Sequence, residues 1–334
     1  MNDIWHFLRE FESKDIVKRF YKRKFNYELN TAKAVEINCA FTQGREYFNS
    51  SVTADLSVKP LLQYYGVVAL SRGLVLILNK SARENNIVPS HGLKIKNWSD
   101  IENSGKIEKI ILKISNGTFF ELIKASENRS FFRVGSSEIN WNVGFPFPSL
   151  ESEFCFGELA YCFPDLKDSV EAWINETVAC RMLKNSHVNG NEWKLEIHGE
   201  NDPLILSKIF PREKFHDLEI IETNKDCTVK FDKHTWPNFC QKWSSTFIVI
   251  GDPYVVPPLS GDIYLNELAK MYATSFILGT ISRYHPSTWN NINKGISNDA
   301  VLPFLLNFMD FLQEKFPQST LEFLQSLKDY KENN

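Results

Sequence analysis

No recognisable catalytic motif occurs in the 334 residues of this sequence. HExxH and the clustered His/Cys pairs of zinc sites are missing, so no metal is expected. The Walker lysine loop, the dinucleotide glycine fingerprint and the GxSxG nucleophile elbow are missing too, so no cofactor is expected. These absences remove chemistry built on a local device. A site assembled from distant residues escapes such a search, and enzymatic activity is left undecided.

Charge of one sign is also scarce. There are 38 Lys and Arg against 41 Asp and Glu, a net charge of -3 without the basic excess of a dedicated nucleic-acid binder. The cysteines Cys39, Cys155, Cys162, Cys180, Cys227 and Cys240 form no CxxC pair and no tight framework, which excludes a disulfide-stapled scaffold and fits reduced, buried thiols. The N-terminus, MNDIWHFLREFESKD, has charges within its apolar pattern and no signal-peptide core. The most apolar stretch, GVVALSRGLVLILNK, is broken by Arg72 and is shorter than the roughly 20 residues of a bilayer span. A buried helix, a cytoplasmic location and no membrane contact are expected. Repeats and low-complexity tracts are absent.

What is present is a heavy apolar and aromatic load, with 26 Phe, 11 Tyr and 8 Trp, enough for a packed core and far from a disordered chain. Residues 1–100 read as a helical block. Ile4, Trp5, Leu8 and Phe11 keep helical spacing, Ser13 caps the next segment, and Ala32, Val35, Ala40 and Phe41 mark a third. Pro60 opens a fourth, in which Gly66, Ala69 and Gly73 leave a groove for a neighbouring helix. Residues 101–260 read as strand-rich, with a helical segment near 150–185 interrupted at Pro164. Asn116-Gly117 predicts a hairpin between IEKIILKIS and TFFELIKA, and Asn224-Lys225-Asp226 another between LEIIE and CTVKF. Residues 261–334 return to helices, the first capped at Asp262 and the last at Asp299, with Pro317 as an interruption. The fold class expected is mixed α/β of the α+β kind. Its N- and C-terminal helical blocks pack together around a strand-rich central insertion.

Three features carry candidate chemistry. KDIVKRFYKRK holds Lys14, Lys18, Arg19, Lys22, Arg23 and Lys24 against Asp15 alone. On a helix the lysines stack four apart and repel by about a few tenths of a kcal/mol per pair. This is either a solvated face or a surface for an anion, a nucleic acid or an acidic partner. Arg283-Tyr284-His285-Pro286 stops a helix, with positive charge in its last turn and Trp289 folded back as a lock. The rival reading is a phosphodiester site, although neither Arg283 with His285 nor Arg212 with His216 has the spacing of two-helix ribonucleases. His91 follows the apolar helix that contains Arg72. Paired with Asp55 or Glu46, Arg72 would be structural; open to a cleft with His91 and Arg283, it would hold an anion. Arg72, His91, Arg283 and His285 are the candidate polar cluster.

Trp5…Phe11-Glu12-Ser13, Phe41…Gly44-Arg45-Glu46-Tyr47-Phe48, Lys59-Pro60-Leu61-Leu62…Tyr64-Tyr65-Gly66, His91-Gly92-Leu93 and Arg283-Tyr284-His285-Pro286…Trp289 together resemble the YaaC-like family of bacterial proteins. The likeness spans most of the chain in outline and is thin from about 105 to 260. It implies a bacterial cytosolic protein with a helical core interrupted by strands, no activity or catalytic residue to carry over, and one spatial cluster for the shared pieces. The role expected is a non-enzymatic interaction or scaffold protein, a component of a bacterial phage-defence or toxin–antitoxin type of complex. Its partner would be another protein or a second copy of the chain. The alternative is a nucleic-acid-binding protein or metal-independent nuclease that uses the basic face and the Arg/His cluster. A small-molecule enzyme of unrecognised type is the third reading.

Overall fold

The computed structural model describes residues 2–132, 138–139, 141–198, 203–210, 219–222, 226–232, 243–245 and 253–328. The N-terminal block holds α1 (Asn2–Leu8), α2 (Lys14–Phe25), α3 (Thr31–Thr53) and α4 (Lys59–Leu78). The middle holds β1 (His91–Ile95), α5 (Trp98–Ser104), β2 (Ile111–Gly117), α6 (Thr118–Ala125), β3 (Arg129–Phe132), β4 (Trp141–Gly144), β5 (Glu153–Cys155), α7 (Phe156–Ala160) and α8 (Lys167–Ile174). Then follow β6 (Arg181–Asn189), β7 (Glu192–His198), α9 (Pro203–Ile209), β8 (Glu219–Glu222), β9 (Asp226–Asp232), β10 (Trp243–Ser245) and β11 (Pro253–Val255). The C-terminal helices are α10 (Glu267–Tyr284), α11 (Pro286–Asn293) and α12 (Leu302–Ser326).

Helix α4 is apolar round most of its circumference, a pattern that requires burial on most sides. It is long and apolar enough to cross a membrane, yet α3, α6, α10 and α12 all pack on it. Small residues make the α3 contact close. A Cβ added at Gly66 would lie 2.7 Å from the Phe48 ring, and one at Gly73 2.7 Å from the Phe41 ring. The two terminal blocks are also locked by buried amides: Gln63 Nε2 donates to the Met309 carbonyl at 2.8 Å, and Ser51 Oγ to Gln313 Oε1 at 2.7 Å. Buried Lys33 closes the end of α4 by donating to the Asn79 and Lys80 carbonyls, both at 2.7 Å. Its burial pushes the ammonium down to about 8.

The strands form two principal sheets. One has the order β1-β2-β5, the other β10-β11-β6-β7-β9-β8, and β3 pairs with β4. The main core runs through both helical blocks and the first sheet. A second core under the larger sheet contains Leu195, Ile197, Ile205, Leu206, Ile209 and Val229. The structure is thus mixed, with helical ends packed on each other and a strand-rich centre.

Several local expectations are corrected. Asn116-Gly117 is no hairpin: β2 ends there, and TFFELIKA is the helix α6, with Phe119, Leu122 and Ile123 buried on one face. The buried side of β2 is Leu112 and Ile114, following buried Ile110, while Ile107 sits in a 3-10 turn. Residues Glu153–Cys155 are a strand rather than the start of a helix. Helix α10 begins at Glu267 under the cap of Asn266, whose side chain accepts from the Ala269 N–H, and not at Asp262. Asp299 lies inside a 3-10 turn, and α12 runs unbroken through Pro317. Strands β8 and β9 do pair antiparallel. The 223–225 connection, Cys240, Arg212 and His216 lie outside the described residues.

Candidate functional site

Most of the shared sequence pieces are consumed by packing. Phe11 stacks on Phe41 at 5.0 Å, and Trp5 meets Phe48 at 5.8 Å. Glu12 takes Arg45 bidentately, at 2.7 and 3.0 Å. Ser13 accepts from the Ile16 N–H at the start of α2. Trp289 is 2% exposed and donates its Nε1 to the Leu56 carbonyl at 3.0 Å. His285 stacks on Trp98 with 3.7 Å between ring centres, and its Nδ1 lies 3.4 Å from Glu102 Oε1. Those residues hold helices in place.

What packing leaves over is a surface where α3, α4, β1 and the end of α10 meet. Tyr47 of α3 stacks on Tyr65 of α4 at 5.5 Å. Arg283 donates from Nη1 to the Tyr65 hydroxyl at 2.5 Å. Its guanidinium also lies over the Tyr284 ring, 4.9 Å from the centre, and Tyr284 is 59% exposed. Just inside, Tyr64 packs between His91 at 5.3 Å and Phe276 at 5.8 Å. The Tyr272 hydroxyl donates to the His91 carbonyl at 2.9 Å and fixes the backbone there. The Tyr64 hydroxyl is buried next to the Tyr272 hydroxyl. Gly279 lets α10 approach closely, since a Cβ there would come within 2.9 Å of Tyr64.

His91 and Arg283 therefore share one neighbourhood. Burial, and then the positive charge of Arg283, hold the His91 imidazole below its ordinary 6.5. A neutral, half-buried imidazole near a guanidinium and against the Tyr64 and Phe276 rings can accept or donate a hydrogen bond at pH 7. As pH falls below about 6.5 the unfolded chain takes up the proton before the folded one, so stability present at neutral pH is lost on acidification. The expected result is a lower melting temperature at pH 5 than at pH 7, with a smaller drop in His91→Gln. His285 is also held low, first by burial and against the pull of Glu102, so it accounts for part of the remaining drop.

The other two members of the sequence-derived cluster lie elsewhere. His285 belongs to the Trp98 contact. Arg72 sits two turns along α4 from Tyr65, near enough for its charge to act on the Tyr272 hydroxyl, and lines a cleft with Cys39 and Gln43 of α3. Its suggested partners are otherwise engaged: Glu46 lies 2.8 Å from Arg45, and Asp55 accepts from the Ser57 N–H. The basic run occupies α2, with Val17, Phe20 and Tyr21 buried. Lys18 donates to Thr31, Lys22 pairs with Glu28 at 2.9 Å, Lys24 donates to the Leu327 carbonyl, and Arg23 lies over Phe20. Lys14 and Arg19 are exposed. None of these contacts belongs to the tyrosine surface.

Tyr64 and Tyr65 are the neighbours that the sequence offers His91, whereas Tyr47 and Tyr284 were not singled out as site residues, although both lie inside the shared pieces. The signal available was position: each is a bulky ring at the polar edge of a helix. Among the described residues no three His, Cys, Asp or Glu side chains are grouped to hold a metal ion.

The model of the YaaC-like protein family matches residues 9–324. No curated protein and no solved structure matches the chain. The family match runs across both helical blocks and both sheets, and it takes in four of the five sequence pieces that first suggested it whole and the fifth from Phe11 on. The chain belongs to the YaaC-like protein family.

Proposed function

We propose that this protein is a non-enzymatic interaction protein or scaffold of the bacterial cytoplasm, which docks a partner protein on the Tyr47–Tyr65–Arg283–Tyr284 surface. One observation carries the reading. After every packing role is assigned, the shared pieces leave tyrosines and an arginine on the outside, the side chains that dominate binding hot spots. Tyrosine brings a large, stiff contact area at low entropic cost, and Arg283 is already held between two rings. A component of a phage-defence or toxin–antitoxin type of complex would use such a surface.

The test starts from a complex isolated with its partner and reconstituted from purified chains. Tyr65→Ala and Arg283→Ala are each expected to weaken it by about 2 kcal/mol, roughly 30-fold in Kd, with melting temperature retained. Unchanged affinity in both variants sinks the proposal. The mass in solution at micromolar concentration separates a foreign partner from a second copy of the chain.

A second reading rests on the same guanidinium between rings, which also suits single-stranded nucleic acid. It requires binding of short RNA or DNA that weakens steeply between two salt concentrations. It also requires that reversal of Lys18, Arg19, Lys22 and Arg23 abolish the signal if the basic helix is part of the footprint.

A further inference from the structure

The seam between α3 and α4 continues past the Tyr47–Tyr65 pair into an open cleft of about 220 Å³. Glu36, Cys39, Ala40 and Gln43 line it from α3, and Ala69, Arg72 and Leu76 from α4. Glu84 also lines it. The space admits several water molecules, the scale of a small metabolite.

Arg72 is the anomaly in its wall. It is half-buried on an otherwise apolar helix and makes no hydrogen bond or ion pair among the described residues. The other half-buried arginines among the described residues all have acceptors. Arg45 has Glu12 and Glu46, Arg83 has Glu36, and Arg181 has the Val178 and Cys180 carbonyls. A guanidinium partly removed from water and left without an acceptor is unfavourable.

Of the two acids that line the cleft, Glu36 is already committed to other partners. Glu36 gives both oxygens to Arg83, at 2.6 to 3.0 Å, and one of them also accepts from the Glu84 N–H at 3.1 Å. Lys33, next to Glu36 in charge, spends its protons on the Asn79 and Lys80 carbonyls. Arg72 therefore lines the space without a hydrogen-bond or ion-pair partner among the described residues, and Gln43 lines it from α3. The helix that carries Arg72 is packed by α3, α6, α10 and α12, so its stem starts from a rigid position.

We propose that this cleft binds a small oxyanion, a carboxylate or phosphate group of a low-molecular-weight ligand, with Arg72 as the residue that holds it. A planar fork of donors on a rigid helix is suited to bidentate capture of such a group. The site is separate from the tyrosine surface and does not depend on it. Cys39, exposed at the cleft, reports on occupancy.

The experiment measures the rate at which iodoacetamide alkylates Cys39, followed by peptide mass. Inorganic phosphate or succinate is added at constant ionic strength, with chloride as the control. At a concentration ten times its Kd, a ligand of this site is expected to slow alkylation about tenfold. Arg72→Met should remove the protection while circular dichroism and melting temperature are retained; Arg72→Gln repeats the measurement should the methionine variant not fold. Protection by neither anion, equal protection by chloride, or protection that survives in the folded Arg72 variant overturns the proposal.

Discussion

Gly117→Ala is expected to lower stability by about 3 kcal/mol or more, because two separate penalties fall on one residue. The backbone at Gly117 has φ 145° and ψ -169°, a region open essentially to glycine. A Cβ there would also lie 2.5 Å from both the Gly92 nitrogen and the Ser90 oxygen. Those are backbone atoms and cannot rotate away. Gly92, at φ 82°, meets the same crossing from the other strand. Between them His91 pairs in register with Gly117, and its carbonyl accepts the Tyr272 hydroxyl. The glycine crossing therefore positions the histidine that faces Arg283. Gly190→Ala is the control. Its φ is 62° with open space around it, so only the backbone term of about 1 kcal/mol applies. Urea titrations of both variants give the comparison. A Gly117→Ala loss no larger than that of Gly190→Ala would show that the crossing relaxes freely.

Trp289→Ala is expected to cost about 3 to 5 kcal/mol, the range for a fully buried aromatic ring reduced to a methyl group. The ring sits on α11 and closes the link between α3 and α4 through the Leu56 carbonyl. Its loss leaves a cavity and an orphaned acceptor together. Trp289→Phe separates the two effects: it keeps most of the ring and forfeits the hydrogen bond, about 1 kcal/mol. If the alanine variant melts within a degree of the parent, Trp289 is not a lock. Any change in partner binding by this variant would follow from displaced helices, since the ring itself is not on the tyrosine surface.

Local pattern was enough wherever an element's stability is local. The start of α4 at Lys59-Pro60, the Ser13 cap and the small-residue groove of Gly66 and Gly73 all follow from spacing and side-chain size. The reading failed where a residue serves two purposes. Asn116-Gly117 has the composition of a hairpin, yet its glycine is spent on the close crossing with Gly92, and the i, i+3, i+4 spacing of Phe119, Leu122 and Ile123 then makes a helix. Pro317 should break α12 at a cost of about 3 kcal/mol. The helix continues because Phe316 before it and Thr320, Phe323 and Leu324 after it are buried in the same core.

Residue types for a site were visible in the chain: an arginine stranded in an apolar helix, a histidine beside it, and an Arg-Tyr-His run at a helix end. Their grouping was not. Helical phase places Tyr65 and Arg72 along the α3 seam, but no local rule says that Arg283 reaches Tyr65 while His285, two residues on, turns to Trp98. That choice is made by how closely α10 settles against α4 at Gly279, a contact between segments far apart in sequence. Periodicity records which face of a helix is apolar; which foreign helix covers it, and at what height, is decided by packing in three dimensions.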